Sequence, residues 1–200
     1  MTLHAYDVAR TLPAFELPAL ETARLILRAP RLGDAAPVAR LANDRRIAEN
    51  TTQLPHPYGL GDAEEWIGIC NRCDGEATFL ITLNDGTTIG ACGVGLAEGP
   101  APELGYWLGH RYWGHGYGTE AVRALVDYAF GEMEYESLQA GARVSNPASR
   151  RVLEKCGFQW VSVGLYRIRA IDSSAPVDRF RLERRIWASL KNWGPMRMVA

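Results

Sequence analysis

Arg111-Tyr112-Trp113-Gly114-His115-Gly116-Tyr117-Gly118-Thr119 joins two segments of opposite character. Ahead of it, Glu103-Leu104-Gly105-Tyr106-Trp107-Leu108 reads as a strand; behind it, Glu120 to about Phe130 places Val122, Leu125, Val126 and Ala129 at helical spacing. Three glycines at alternate positions leave successive backbone N–H groups bare where the helix begins. A helix N-terminus carries unpaired donors and roughly half a positive charge, so such a junction suits a phosphate or pyrophosphate. Glycine also lets the main chain reach that anion with no Cβ in the way. The stretch predicts a diphosphate-bearing cofactor held by backbone.

Working outward, Pro100 and Pro102 break the chain before the Glu103–Gly109 strand. Upstream lies a hairpin, Ala77–Leu83 and Thr88–Leu96, turning at Asn84-Asp85-Gly86. Gly90, Gly93 and Gly95 lie within that second strand, where a bulge or close backbone approach is expected rather than nucleotide binding. Earlier still, Arg24-Leu25-Ile26-Leu27-Arg28 is a short strand. Asp34 is placed to cap a helix holding Pro37, Val38 and Leu41, and Asp62 to start a second with Trp66, Ile69, Cys70 and Cys73 on one stripe. Between these helices Pro55, Pro57, Gly59 and Gly61 make Thr51–Gly61 a loop.

Downstream, Leu138–Val144 is a strand and Asn146 caps a helix with Pro147 at its first position. Val152, Leu153 and Cys156 point inward and Gly157 ends that helix. Phe158–Ile168 and Val177–Ile186 read as two closing strands joined by a polar turn at Asp172-Ser173-Ser174. Arg179, Arg181, Arg184 and Arg185 alternate with Phe180, Leu182 and Ile186, the pattern of a solvated strand face.

The order is βααβββαβαββ. The fold class is α/β (α+β): a mixed, mostly antiparallel central sheet of about seven strands flanked by about four helices. The crossover through the glycine turn sets the fourth and fifth strands side by side and parallel. Ligands in open sheets favour the carboxyl ends of such strands, where the glycine turn lies. We divide the chain into an arm (1–20), a single domain (21–187) and a tail (188–200).

Composition limits the function. At 200 residues, 47% hydrophobic and 22% charged, the chain is an ordinary globular domain able to bury roughly 70% of its unfolded surface without disulfides or metal. A net charge of −1 offers no general attraction for nucleic acid or anionic membrane. Cys70 and Cys73 have redox or half-zinc spacing but no second pair follows, so reduced cysteines, no metal and a cytoplasmic location are expected. No signal peptide or apolar run of membrane-spanning length is visible. A proline-bearing arm and an apolar tail (Trp193, Met196, Met198, Val199) offer a homodimer contact.

Three cofactor readings compete at the turn. A P-loop needs a lysine after its last glycine, and none follows here. A dinucleotide fingerprint needs G-x-G-x-x-G behind a first strand, whereas this turn reads G-x-G-x-G behind a meander.

The third reading comes from resemblance. Arg111-x-x-Gly114-x-Gly116 matches the Q/R-x-x-G-x-G/A signature of the GNAT acetyltransferase superfamily. Glu103–Gly109, Tyr112–Ala121, Asn146–Phe158 and Glu21–Arg28 resemble the branch that acetylates N-termini of ribosomal proteins, in the same order, over about residues 21 to 187. The resemblance implies an N-acetyltransferase that moves the acetyl group of acetyl-coenzyme A (acetyl-CoA) directly to a protein N-terminus or small-molecule amine. It implies strands four and five splayed around the pantetheine arm, with backbone of Trp107, Leu108 and Gly109 bonding to it. Arg111, Trp113, Gly114, His115, Gly116, Tyr117, Gly118 and Thr119 would hold the cofactor, joined by Asn146, Ser149 and Arg151 from the following helix. The absence of a G-x-S-x-G elbow or a cysteine–histidine pair agrees with direct transfer.

Glu103 is the candidate base: it shares a strand face with Gly105 and Trp107, where an apolar wall would raise its pKa, or else it is a surface carboxylate at a strand entrance. Many relatives protonate the departing thiolate with a tyrosine in the helix after the fifth strand, a slot occupied here by Leu153; Ser149 is the candidate in its place. His110 and His115 face solvent or pack on cofactor. The acceptor pocket is assigned to His56, Tyr58 and Trp66, the latter two equally readable as packing residues. A catalytically silent acyl-CoA-binding module is the alternative from another class, and a nucleotide-dependent oxidoreductase a third.

Overall fold

The computed structural model describes residues 17–72, 76–95 and 101–192. The strands are β1 (Leu20–Glu21), β2 (Leu25–Arg28), β3 (Ala77–Leu83), β4 (Thr88–Gly95), β5 (Glu103–Leu108), β6 (Ser137–Arg143), β7 (Gln159–Ile168) and β8 (Ser173–Glu183). They form one eight-stranded sheet in the order β1-β2-β3-β4-β5-β6-β8-β7. The extra strand beyond the seven expected is the two-residue β1, which pairs Leu20 with Leu27. All neighbours are antiparallel except β5 and β6.

Among the described residues six α-helices accompany the sheet: α1 (Ala35–Ala42), α2 (Arg45–Ala48), α3 (Leu60–Cys70), α4 (Tyr117–Gly131), α5 (Pro147–Lys155) and α6 (Arg184–Asn192). One face of the sheet packs on α4 and α5 around Leu25, Phe79, Leu104, Leu125, Phe130, Leu138 and Leu153. The other packs on α1 and α3 around Val38, Ala42, Ala63, Ile67, Leu80 and Ala91. Fully burying each large side chain contributes roughly 1.5–3 kcal/mol, so the sheet is fixed from both sides.

Local signals place the elements as expected in several cases. Gly86 takes φ 84 in the β3–β4 turn, and Gly157 takes φ 92 behind α5. Asn146 Oδ1 accepts from Ser149 N at 3.1 Å, with Pro147 at the first helical position. Gly90 shows the close approach foreseen for it, since a Cβ there would lie 2.1 Å from the Trp107 carbonyl oxygen.

Other expectations are corrected. Asp34 does not cap α1 with its side chain; the carboxylate turns back to Arg28 (2.7 Å) and to the Arg31 N–H (2.8 Å), where a cation and a free donor outcompete the helix end. α3 begins at Leu60, with Asp62 accepting from Gly59 N at 2.8 Å. The last strand stops at Glu183 and the chain turns helical at Arg184, so Arg184 and Arg185 do not belong to a strand face. Helix α6 docks by Trp187, whose Nε1 donates to Asp127 Oδ1 at 2.7 Å while its ring meets Phe130. Most of the expected arm and tail, residues 1–16 and 193–200, lies outside the described residues, as does Cys73. No helix among the described residues is long and apolar enough to cross a membrane.

Candidate active site

Strands β5 and β6 pair at Glu103–Gln139 and Leu104–Ala140 and then diverge. Sheet order explains the divergence: β4 holds β5 along its whole length and β8 holds β6. The gap opens into a cleft of about 450 Å³ that passes through the sheet, lined on one side by α4 and α5 and on the other by Arg143, Arg179 and the Asn50–Thr52 segment.

Which backbone groups face the gap follows from the β4–β5 register. Gly109 N donates to Ile89 O at 2.8 Å, so by antiparallel alternation the polar groups of Trp107 also point at β4, and those of Tyr106 and Leu108 point at the gap. The Leu108 carbonyl accepts from Trp113 Nε1 at 2.7 Å. Tyr106 N–H and C=O and Leu108 N–H are therefore the edge left open. This corrects the assignment of Trp107 and Gly109 backbone to that edge: both are engaged by β4, although the Trp107 side chain lines the cleft.

At the mouth of the gap, Gly114 and Gly116 adopt φ 78 and 83, left-handed values that a side-chain-bearing residue resists. A Cβ at Gly114 would meet nothing within 4 Å, so the concavity above it is open. Helix α4 has no side-chain cap, and Glu120 N is its first N–H to reach a carbonyl, that of Gly116, at 3.1 Å. The N–H groups of Tyr117, Gly118 and Thr119 are left without helical partners, a cradle fitted to a pyrophosphate. Arg24 braces the loop from behind, donating to His115 O (3.0 Å) and binding Glu120. Trp113, Gly114, Gly116, Tyr117, Gly118, Thr119, Asn146, Ser149 and Arg151 line the cleft, whereas Arg111 and His115 do not. Arg111 lies over the Tyr112 ring, and His115 stacks on Tyr117 with Nδ1 2.8 Å from the Trp113 carbonyl.

On the α5 side, Tyr106 donates its hydroxyl to Ser149 Oγ at 3.0 Å. Burial is the main influence on this phenol and pushes its pKa up to about 12, against the opposing effect of the Ser149 bond. Tyr106 thus stays protonated, and its proton occupies a lone pair of Ser149, leaving the serine's own proton to point elsewhere. Sequence reading missed Tyr106 because it falls on the strand face opposite Glu103; only its alternation with Glu103 carries a signal.

On the opposite side, the Glu103 carboxylate is engaged by a cation. Arg179 grips both its oxygens, at 2.9 and 3.2 Å, and reaches Gln139 Oε1 at 2.9 Å. Arg179 is 14% exposed at its side chain and stands over the Tyr166 ring, so it is part of the cleft and not of a solvated face. Gly141 makes room for it: a Cβ there would be 3.3 Å from Arg179 Nη1. Arg143 also faces this side and donates to the Glu49 carbonyl at 2.7 Å.

The residues expected to form the acceptor pocket do not line the cleft. Tyr58 is 5% exposed and packs in the α1–α3 core, its hydroxyl donating to Asp62 O at 3.3 Å. Trp66 packs against the same core, and His56 stands at the surface of the loop. The same loop does reach the cleft through its first residues, Thr51 and Thr52, and Thr52 O accepts from Arg169 N at 3.1 Å.

The acetyltransferase (GNAT) domain family matches residues 24–159. The chain belongs to this family.

A Bacillus licheniformis relative named uncharacterized N-acetyltransferase p20 is 30% identical over 146 residues, 70% of this chain and 82% of that one. Among solved structures, spermidine N-acetyltransferase from Vibrio cholerae, in complex with CoA and spermine, is similar with a TM-score of 0.71 at 20% identity, covering 84% of this chain and 99% of that one. RimJ from Mycobacterium smegmatis, in complex with CoA-disulfide, is similar with a TM-score of 0.69 at 18% identity over 84% and 89%. At such identities the structural likeness carries the fold. This GNAT protein is an N-acetyltransferase whose donor is acetyl-CoA.

Proposed function

We propose that this GNAT enzyme transfers acetyl directly to a primary amine, either a protein or peptide N-terminal α-amine or a small-molecule amine, without an acyl-enzyme. The splayed β5–β6 gap carries the reading: it is one continuous passage, so donor and acceptor can meet in the plane of the sheet from opposite faces. Holding two reactants in register can supply roughly 7–11 kcal/mol of the barrier. Among the described residues no cysteine lines the passage, and burial pushes the Cys156 thiol up to about 11, which disfavours a thiolate nucleophile.

Acetyl-CoA supplies, when bound, an acetyl group activated as a thioester. The α4 N-terminus and the turn from Trp113 to Thr119 would hold its pyrophosphate, with Arg151 and Lys155 on the adjoining wall. Tyr106 and Leu108 backbone would align its arm. Ser149, oriented by Tyr106, would present its hydroxyl proton to the departing sulfur. Glu103 would accept the ammonium proton of the acceptor, directly or through a water, using lone pairs that Arg179 leaves free. Buried unpaired thiols at Cys92 and Cys156 support a cytoplasmic location.

The test is release of free thiol from acetyl-CoA over a panel of peptides and amines. Acetylation of no amine overturns the proposal, and cofactor binding without turnover, insensitive to Glu103→Gln and Ser149→Ala, establishes the silent binding module in its place.

A further inference from the structure

Beyond the pocket walls already assigned, the acceptor side of the cleft carries an unbalanced charge. Its charged side chains are Glu103, Arg179 and Arg143. Glu103 and Arg179 neutralise one another through a two-pronged contact. Arg143 has no such partner: among the described residues no carboxylate lies within ion-pairing distance of it, and the nearby Glu49 carboxylate is taken by Arg45 at 2.6 Å. Its Nη1 is spent on the Glu49 carbonyl, and its Nε is buried with no hydrogen-bond acceptor among the described residues. Nε is enclosed by protein and out of a ligand's reach, so the donor left to an external acceptor is Nη2, which has no acceptor among the described residues on a side chain that lines the cleft.

Position makes Arg143 relevant to the reaction. Gln139, Gly141 and Arg143 share one face of β6, as do Glu103, Gly105 and Trp107 on β5. Continuing the Glu103–Gln139 register, Arg143 falls opposite Trp107 across the gap, one residue beyond the open Tyr106 edge. A group bound by Arg143 therefore sits beside the reacting amine.

The geometry points to an acceptor that carries a carboxylate close to its reacting nitrogen, read by Arg143. A guanidinium offers planar, charge-assisted donors matched to carboxylate geometry. The same uncompensated cation repels an acceptor whose remaining groups are ammoniums, so polyamines are the disfavoured class. It also favours the neutral, nucleophilic form of the arriving amine. This inference rests on the acetyl-transfer reading above. Two sources can supply the carboxylate: the α-carboxylate of a free amino acid, or an acidic side chain near a peptide N-terminus.

The experiment measures kcat/KM, by thiol release, for matched acceptors: an Ala-Glu peptide against its Ala-Gln counterpart, alanine against alanine amide, and spermidine. We expect the acid of one matched pair to exceed its neutral partner by about tenfold, identifying the source, with spermidine poorest. Arg143→Gln brings that ratio to about one, and Arg143→Lys leaves it intermediate. Because Arg143 also anchors the Glu49 carbonyl, the wild type supplies an independent reading: added salt should lower kcat/KM for the acid more than for its neutral partner. Equal rates within both pairs, a preference for spermidine, or a ratio unaffected by Arg143→Gln in a folded variant overturns the inference and leaves acetyl transfer standing. Turnover with no acceptor removes both.

Discussion

Arg179 and Glu103, 76 residues apart, meet as a two-pronged ion pair at 2.9 and 3.2 Å across the single parallel junction of the sheet. The pair spans from β8 over Gly141 of β6 to β5, locking three strands at the point where the cleft opens. Charge-assisted, forked contacts of this kind add geometric specificity as well as energy. Under the proposed reading, the pair marks where the acceptor side of the cleft begins.

If Glu103 takes the acceptor's proton, Glu103→Gln should lower kcat by about 10²-fold or more at neutral pH while affinity for acetyl-CoA changes little. The amide keeps one oxygen for Arg179, so the strand junction survives. The check is steady-state kinetics beside a thermal melt; a wild-type kcat in the variant would remove Glu103 from proton transfer.

Tyr106→Phe should lower kcat by about tenfold, because it frees the Ser149 hydroxyl to turn away from the cleft. Ser149→Ala should cost at least as much, and the double variant no more than Ser149→Ala alone, since the two act as a unit. Additive losses in the double-mutant cycle would show that Tyr106 acts independently of Ser149.

Gly116→Ala forces a Cβ into φ 83 and to 3.4 Å from Arg24 Nη2. A left-handed L-residue costs about 1–2 kcal/mol, which lowers the melting temperature by roughly 2–8 °C in a domain of this size. The larger expected effect is on binding: KM for acetyl-CoA should rise while kcat at saturation is better preserved. Gly131→Ala, in open space at the end of α4, should leave both unchanged.

The Arg28–Asp34 contact makes acid stability measurable. The hydrogen bond from Arg28 is the main cause that holds the Asp34 carboxyl below its usual range, with burial opposing it. A pKa depressed on folding means that the stabilisation is fully present above the ordinary carboxylate value of about 4 and disappears as pH falls through the lower folded value. Asp34→Asn should therefore lower the urea midpoint at pH 7, with the gap from wild type closing below about pH 4. A gap that persists undiminished into strong acid would assign the effect to packing.

The features legible along the chain are local. Glycines that accept left-handed dihedrals, the Asn146-Pro147 start of α5, the Asn84–Gly86 turn and alternating apolar runs depend on a few neighbouring residues, and they identify the glycine turn at the head of α4, the strand order along the chain and the enzyme family. The tertiary structure alone decided the rest, because it depends on which strands become neighbours. Insertion of β8 between β6 and β7 carries Arg179 to Glu103 and turns an apparent solvated arginine into a wall of the cleft. The same sheet order places Tyr106 against Ser149, and packing of α1 on α3 removes Tyr58 from the cleft it was expected to line. Period-two alternation says that two residues share a face, but what covers that face is set by segments distant in the chain.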